Sequence, residues 1–290
     1  MCSDKIWELE YFLRVRPELE IYSVSYDVYK VKNRIIYSPC EGLKRAQRYL
    51  KKNINWVYPL ELTTNKCAKV HSGKKWVLKM DIKDFYGSVR FEDIRNVISR
   101  LFPYRSSVVT DYLVDLVTIS NKLPVGAPTS AHIANACFLP LDRRIKDYCN
   151  WHDVTYSRYM DDLTFSADSK NSLNSVEYYI SDIVQDFGFS VNKKKTRYIS
   201  ANKQQNVLGI VVNKEVRIPK TLRRKIRAMI YHCAMANGYI VPRPQKYALF
   251  PEADLNRLKG YMNYAKSVDI KTYMKFRKYS KKLNVLKEII

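Results

Sequence analysis

Two places in the chain carry acid in a setting where phosphoryl chemistry could use it. Asp81 closes Trp76–Asp81, a short apolar run that reads as a buried strand, within Lys79-Met80-Asp81-Ile82-Lys83-Asp84-Phe85-Tyr86. Further on, Asp161 and Asp162 stand side by side in Tyr159-Met160-Asp161-Asp162, at what reads as a hairpin tip. Transfer of a phosphoryl group to a hydroxyl uses two divalent ions roughly 3.5–4 Å apart, one on the attacking oxygen and one on the leaving group. Mg²⁺ takes hard oxygen ligands through few carboxylates, with substrate phosphates completing the shell. Aspartates on neighbouring strands meet that demand, so Asp81, Asp161 and Asp162 are the candidate metal ligands. Taken singly, each has a commoner explanation, since Asp pairs favour turns and strand-end Asp residues favour helix caps. Asp84 reads as structural or as a salt-bridge partner.

These acids need elements to hold them. Tyr26–Val31 and Arg34–Ser38 alternate apolar and polar residues around Lys32-Asn33, which predicts a hairpin. A basic amphipathic helix follows over Glu41–Asn53, and helices are expected over Phe91–Leu101 and Ser106–Ser120. The breaker-rich loop Leu123-Pro124-Val125-Gly126-Ala127-Pro128 leads into a helix near Thr129–Cys149, with Thr129 or Ser130 as its N-cap. Val154–Tyr159 and Leu163–Ser166 flank the aspartate pair as a second hairpin. A helix over Asn171–Phe187 ends at Gly188, and Asn206–Val212 with Glu215–Ile218 reads as a strand pair. Helices are expected over Pro219–Ala236, Glu252–Ser267 and Ile270–Leu283. The class is mixed α+β, divided near residue 213 into a body (1–212) and a helical C-terminal unit (213–290).

Charge narrows the partners. The net charge of +23 far exceeds what solubility requires and implies a polyanion. Between Asn213 and Ile290 there are 19 basic and 5 acidic residues, so +14 lies in that segment. No apolar run reaches the roughly 18 residues of a membrane span, and Met1–Glu20 has no apolar core of a signal peptide. Six scattered cysteines without a CxxC pair, and four scattered histidines, argue against structural zinc and for a reducing, cytoplasmic setting.

Tyr159-Met160-Asp161-Asp162 resembles the YxDD motif of reverse transcriptases, and four further motifs follow in register. Lys79 to Tyr86 is similar to their first palm motif; Leu123 to Ser130 is similar to their LPQGxPxSP loop. Gly188-Phe189-Ser190-Val191-Asn192-Lys193-Lys194-Lys195-Thr196 resembles the next palm motif, and Arg34-Ile35-Ile36-Tyr37-Ser38-Pro39 with Leu43-Lys44-Arg45-Ala46-Gln47 resembles the RxIxxP…LKxxQ segment of the fingers. The resemblance implies a right-hand polymerase, with fingers (about 1–75, further segments interleaved), an antiparallel palm sheet backed by helices, and a small helical thumb. It implies two Mg²⁺ ions on Asp81, Asp161 and Asp162, and dNTP substrates. Lys195 would assist pyrophosphate departure, and Lys30, Arg34, Ile82, Tyr86, Val125 and Gly126 would form the nucleotide site. Tyr86 would be the gate against a 2′-hydroxyl. Arg223, Arg224, Lys225, Arg227 and Tyr261 would bind RNA, with Tyr231, Tyr239 and Tyr264 near them, because cations interleaved with aromatics suit phosphates and unpaired bases.

Within the family the bacterial retron type is most similar. Cys67-Ala68-Lys69-Val70-His71 resembles the retron NAxxH element, which would bring His71 to RNA. Val207-Leu208-Gly209 resembles VTG, and Leu258 to Lys266 resembles the thumb helix. The sequence departs at Val125 (Gln in the family), at Ala131 (Pro), and at one position in each retron element. A retron enzyme would copy its own structured non-coding RNA from a ribose 2′-hydroxyl, hold the resulting RNA–DNA hybrid, and work beside a separate effector against phage. A bacterial defence polymerase with other priming, and a catalytically inactive RNA-binding scaffold, remain as alternatives. Because counterion release governs binding by such a basic chain, RNA affinity measured by anisotropy should fall steeply with rising salt. Affinity insensitive to salt would rule the thumb reading out.

Overall fold

Residues 3–21, 23–32, 34–58, 63–236 and 255–285 are described by the computed structural model. After α1 (Ser3–Arg14), β1 (Tyr26–Val31) and β2 (Arg34–Pro39) form the expected antiparallel hairpin, in register from Tyr26↔Pro39 to Val31↔Arg34. Lys32 has φ +54°, as a primed two-residue turn requires; Asn33 lies outside the described residues. The next helix, α2 (Glu41–Val57), buries Leu43, Ala46, Gln47, Leu50 and Ile54, one face at helical spacing. Gln47 donates to Tyr26 Oη (2.9 Å) and to the Leu116 carbonyl (2.8 Å), tying the hairpin base to the helix.

There follow α3 (Thr64–Lys69), β3 (Trp76–Asp81), α4 (Phe91–Leu101), α5 (Ser107–Asp115), α6 (Ser130–Trp151), β4 (Thr155–Tyr159), β5 (Asp162–Ala167), α7 (Lys170–Asp186) and β6 (Arg197–Ser200). Four strands make one sheet in the order β4-β5-β3-β6. The chain then forms β7 (Asn206–Val207), β8 (Ile210–Val211), α8 (Lys220–Ala236), α9 (Leu255–Val268) and α10 (Ile270–Lys282).

Two expectations are corrected. The helix read as Ser106–Ser120 stops at Asp115, because Ser120 and Asn121 both take positive φ and close a tight turn between Ile119 and Lys122. The strand read as Asn206–Val212 is itself a hairpin: Leu208 (φ +50°) and Gly209 (φ +84°) reverse the chain, and Val211 bridges to Arg217. The helix expected over Glu252–Ser267 is present over Leu255–Val268, and Glu252 lies outside the described residues. Pro140 sits inside α6, where it removes one backbone donor without ending the helix.

The chain divides into two units. The first comprises Met1–Leu62, Leu78–Phe165 and Ser169–Arg197. Its aromatic centre is Phe85, Phe138 and Phe189, with ring centroids 5.0–5.9 Å apart. The second comprises Thr63–Val77, Ser166–Asp168 and Tyr198–Ile290. Its core joins Val207, Ile210 and Val212 to Ile226, Ile230, Leu258, Met262 and Phe276.

In this second unit Asp269 does two jobs. Its carboxylate caps α10 through Thr272 N (3.0 Å) and Thr272 Oγ1 (2.7 Å), and accepts from Ile218 N (3.3 Å) and Arg217 (3.3 Å). Burial alone would raise its pKa, but the bonds from Thr272 and Ile218 and the charge of Arg217 outweigh it and hold the carboxyl below its usual range. Such a group stabilises fully above the unfolded-state value near 4, and its contribution is lost as pH falls through the lower folded value. Asp269→Ala should therefore cost about 2–4 kcal/mol at neutral pH. Urea midpoints should show the difference from wild type shrinking under acid.

Candidate active site

A two-residue turn carries the aspartate pair. β4 ends at Tyr159, Met160 and Asp161 make the turn, and Asp162 opens β5. Met160 has φ +56°, a left-handed conformation without the freedom of glycine, which stores roughly 1–3 kcal/mol. The Asp161 carbonyl accepts from Ile82 N at 2.9 Å, which joins this turn to the end of β3, where Asp81 sits. Asp81 is anchored in turn: its carbonyl accepts from Asn192 N (2.7 Å), and Lys83 N donates to the Ser190 carbonyl (2.8 Å). Remote parts of the sequence thereby bring the three aspartates into one neighbourhood.

The electrostatics follow from that convergence. Burial first, then the charges of Asp162 and Asp81, push the Asp161 carboxyl above the usual range, opposed by its backbone hydrogen bond and by Lys195. Lys195 Nζ lies 2.8 and 3.0 Å from the two carboxylate oxygens of Asp81. Asn192 Nδ2 lies 3.4 Å from one of them. Among the described residues, no three His, Cys, Asp or Glu side chains stand in a ready metal-holding array. The donor set still fits a hard divalent cation, because these carboxylates repel one another and a cationic ammonium already sits on Asp81.

The other expected residues are placed as follows. Ile82 is buried, and its backbone rather than its side chain serves the turn. Tyr86 is half-buried; burial raises its pKa, the charges of Asp161 and Tyr159 add to that, and Arg34 opposes them, so the phenol lies in the field of both Asp161 and Arg34. Lys30 and Arg34 are exposed on the hairpin. Val125 accepts from Tyr37 N through its carbonyl (2.8 Å), which docks the 123–128 loop on β2. Gly126 has φ +111°, and a Cβ there would lie 2.8 Å from both Ile36 Cγ2 and the Tyr37 carbonyl. Asp84 folds its carboxylate over Gly87 instead of joining the cluster. Thr129 takes the N-cap position of α6 without a side-chain capping bond, while Ser130 Oγ turns back to the Pro124 carbonyl (2.6 Å).

In the second unit, Arg224 and Arg227 are exposed and Arg223 and Lys225 half-buried on α8. Lys225 donates to Tyr261 Oη (3.0 Å) and lies over its ring; Tyr239 lies outside the described residues. His71, expected at RNA, has no exposed surface here: its imidazole lies 2.7 Å from Ser166 Oγ, and burial, with Lys74 adding to it, lowers its pKa to about 4.

Sequence reasoning missed a polar cluster behind the turn. Arg158 is buried and paired with Asp142, and it also bonds Asn135 and the Met160 carbonyl. The available signal was Arg158 alternating with Tyr156 on one strand face, opposite Asn135 and Asp142 on a shared helix stripe.

With this geometry in hand, comparison with known proteins is decisive. The model of the family "Reverse transcriptase (RNA-dependent DNA polymerase)" matches residues 16–212. The chain belongs to the reverse transcriptase family. It is 28% identical over 273 residues to the retron Ec86 reverse transcriptase of Escherichia coli, covering 91% of this chain and 80% of that protein. It is 36% identical over 220 residues to the retron Mx65 reverse transcriptase of Myxococcus xanthus, covering 70% of this chain and 48% of that one. Among solved structures, Candida albicans telomerase in complex with a TWJ fragment of telomeric RNA has a similar fold (TM-score 0.52, 11% identity, 98% of this chain and 66% of that chain). This reverse transcriptase is thus of retron type, an RNA-directed DNA polymerase whose helices and antiparallel sheet form the palm and fingers fold of the family. The family generally uses divalent metal ions and dNTPs. No helix among the described residues is long and apolar enough to cross a membrane.

The docking of the 123–128 loop gives a direct test. Gly126→Ala should lower dNTP incorporation by at least tenfold while the thermal midpoint moves by only a few degrees, since the clash is confined to one loop.

Proposed function

We propose that this reverse transcriptase copies a structured non-coding RNA into DNA at Asp81, Asp161 and Asp162, with Mg²⁺ as the metal. The observation that carries the reading is the joining of the Asp161 carbonyl to Ile82 N, which sets the aspartate pair beside the end of β3. Two Mg²⁺ ions, when bound, would activate the primer hydroxyl and steady the departing pyrophosphate. Asp81, Asp161 and Asp162 would hold them. Lys195, seated on Asp81, is placed to exchange that carboxylate for the phosphates of an incoming dNTP, and to neutralise or protonate the leaving group. Tyr86 bounds the sugar position and excludes a 2′-hydroxyl by contact. Arg34, with Lys30 beside it on the exposed hairpin, takes the triphosphate, since a guanidinium binds phosphate in a bidentate way. The backbone of Val125 and Gly126 bounds the base-pair position.

The basic helices of 213–290 would form the thumb on the RNA–DNA hybrid, Arg223, Arg224, Lys225 and Arg227 meeting phosphates and Tyr261 an unpaired base. Following the retron relatives, priming from a ribose 2′-hydroxyl would leave branched RNA–DNA, and a separate effector protein would complete an anti-phage system in the cytoplasm. The double change Asp161→Asn, Asp162→Asn should abolish dNTP incorporation and leave RNA affinity within about threefold of wild type. Residual synthesis by that variant would overturn the assignment. Sequencing the nucleic acid that co-purifies with the protein reads out the branch directly.

A further inference from the structure

Asp161 is bracketed by two carbonyl groups, each held from a different side. Its own carbonyl is fixed by Ile82 N (2.9 Å). The preceding carbonyl, that of Met160, is held from behind by Arg158 Nη1 (3.1 Å). The rest of that guanidinium is spoken for: Nε donates to both oxygens of Asp142 (2.9 and 3.1 Å), and Nη2 donates to Asp142 and to Asn135 Oδ1 (2.8 Å). Its carbon lies 4.5 Å from the centre of the Phe138 ring, and Tyr156 Oη donates to the same Asp142 carboxylate (2.7 Å). Asn135, Phe138 and Asp142 share one face of α6, and Tyr156 and Arg158 share one face of β4.

We infer that Arg158, oriented by Asp142 and Asn135, is a positioning residue that sets the Met160–Asp161 turn and thereby aims the Asp161 carboxylate. The inference rests on the proposed role of Asp161 and adds a residue that touches neither substrate nor metal. Left to itself, a non-glycine residue at φ +56° relaxes toward the ordinary region of backbone space, and a strained turn persists only where its surroundings over-determine it. The Met160 carbonyl, at the crest of that turn, is held by the guanidinium. The clamp also lines a cavity of about 660 Å³ shared with Val97, Cys137 and Tyr159. Close packing therefore does not substitute for the hydrogen bonds. Lysine cannot take over this role, because an ammonium has three donors and no planar fork, whereas five donations leave one rigid plane here.

The test compares Arg158→Lys, Asp142→Asn and the double variant Arg158→Lys, Met160→Gly in the full-length protein, on a primed RNA template with dNTPs. Glycine at the first central position of such a turn adopts positive φ without help. Arg158→Lys and Asp142→Asn should each lower kcat by ten- to a hundredfold, with the dNTP KM and RNA Kd within threefold of wild type. The added Met160→Gly should recover at least fivefold of the loss in Arg158→Lys. That recovery would not follow if Arg158 merely supported the fold. Undiminished kcat in Arg158→Lys overturns the inference. So does a loss that the glycine fails to recover, or one that tracks a fallen melting temperature or weakened RNA binding. Failure here is separable from failure of the site assignment: if Asp161→Asn, Asp162→Asn is inactive while Arg158→Lys is normal, only the positioning role falls.

Discussion

Like charges held close together are the constraint around which the first unit is organised. Three carboxylates drawn from distant parts of the sequence share one neighbourhood, and the low-dielectric side of that neighbourhood makes their repulsion severe. Nothing in the apolar core rewards such an arrangement. It persists because Asp81 and Asp161 are fixed by backbone hydrogen bonds and Asp162 is built into β5. Lys195 supplies the counter-charge that the carboxylates require. A fold that bears this expense at one point must be rigid around it, and the Phe85–Phe138–Phe189 cluster supplies rigidity where the palm helices meet the sheet.

The second unit solves a different problem, that of keeping a strongly cationic surface on a small core. Its helices turn apolar faces toward Val207, Ile210 and Val212, and leave their cations to solvent. Two buried polar side chains tie its segments together. Gln205 donates to the carbonyls of Lys74, Lys75 and Ile199, and Asp269 binds the start of α10 to the 217–218 segment. His71 belongs to the same pattern, a neutral ring beside Ser166.

Much of this was legible beforehand, for identifiable reasons. The hairpin at 26–39, the strand ending at Asp81 and the turn at 160–161 follow from period-2 alternation and from acids where a strand must stop. The long helices follow from 3.6-residue periodicity. The reversals at 120–121 and 208–209 were not legible, because Ser-Asn and Leu-Gly lie within otherwise periodic stretches and only tertiary pairing forces positive φ there. The clamp of Arg158 was hidden for a related reason: an arginine beside a tyrosine in a strand looks like surface charge until a helix places Asn135 and Asp142 opposite. Burial such as that of His71 cannot be read from a single sequence at all.

The loop that carries Val125 is fastened to β2 by main-chain atoms, with Gly126 pressed against Ile36 so that no side chain intervenes. Exchange of the side chain at 125 leaves that main-chain hydrogen bond in place. The neighbouring glycine lacks that liberty: its positive φ and the Tyr37 carbonyl beside it would oppose a side chain even if Ile36 were trimmed, so position 126 is pinned by backbone on both counts.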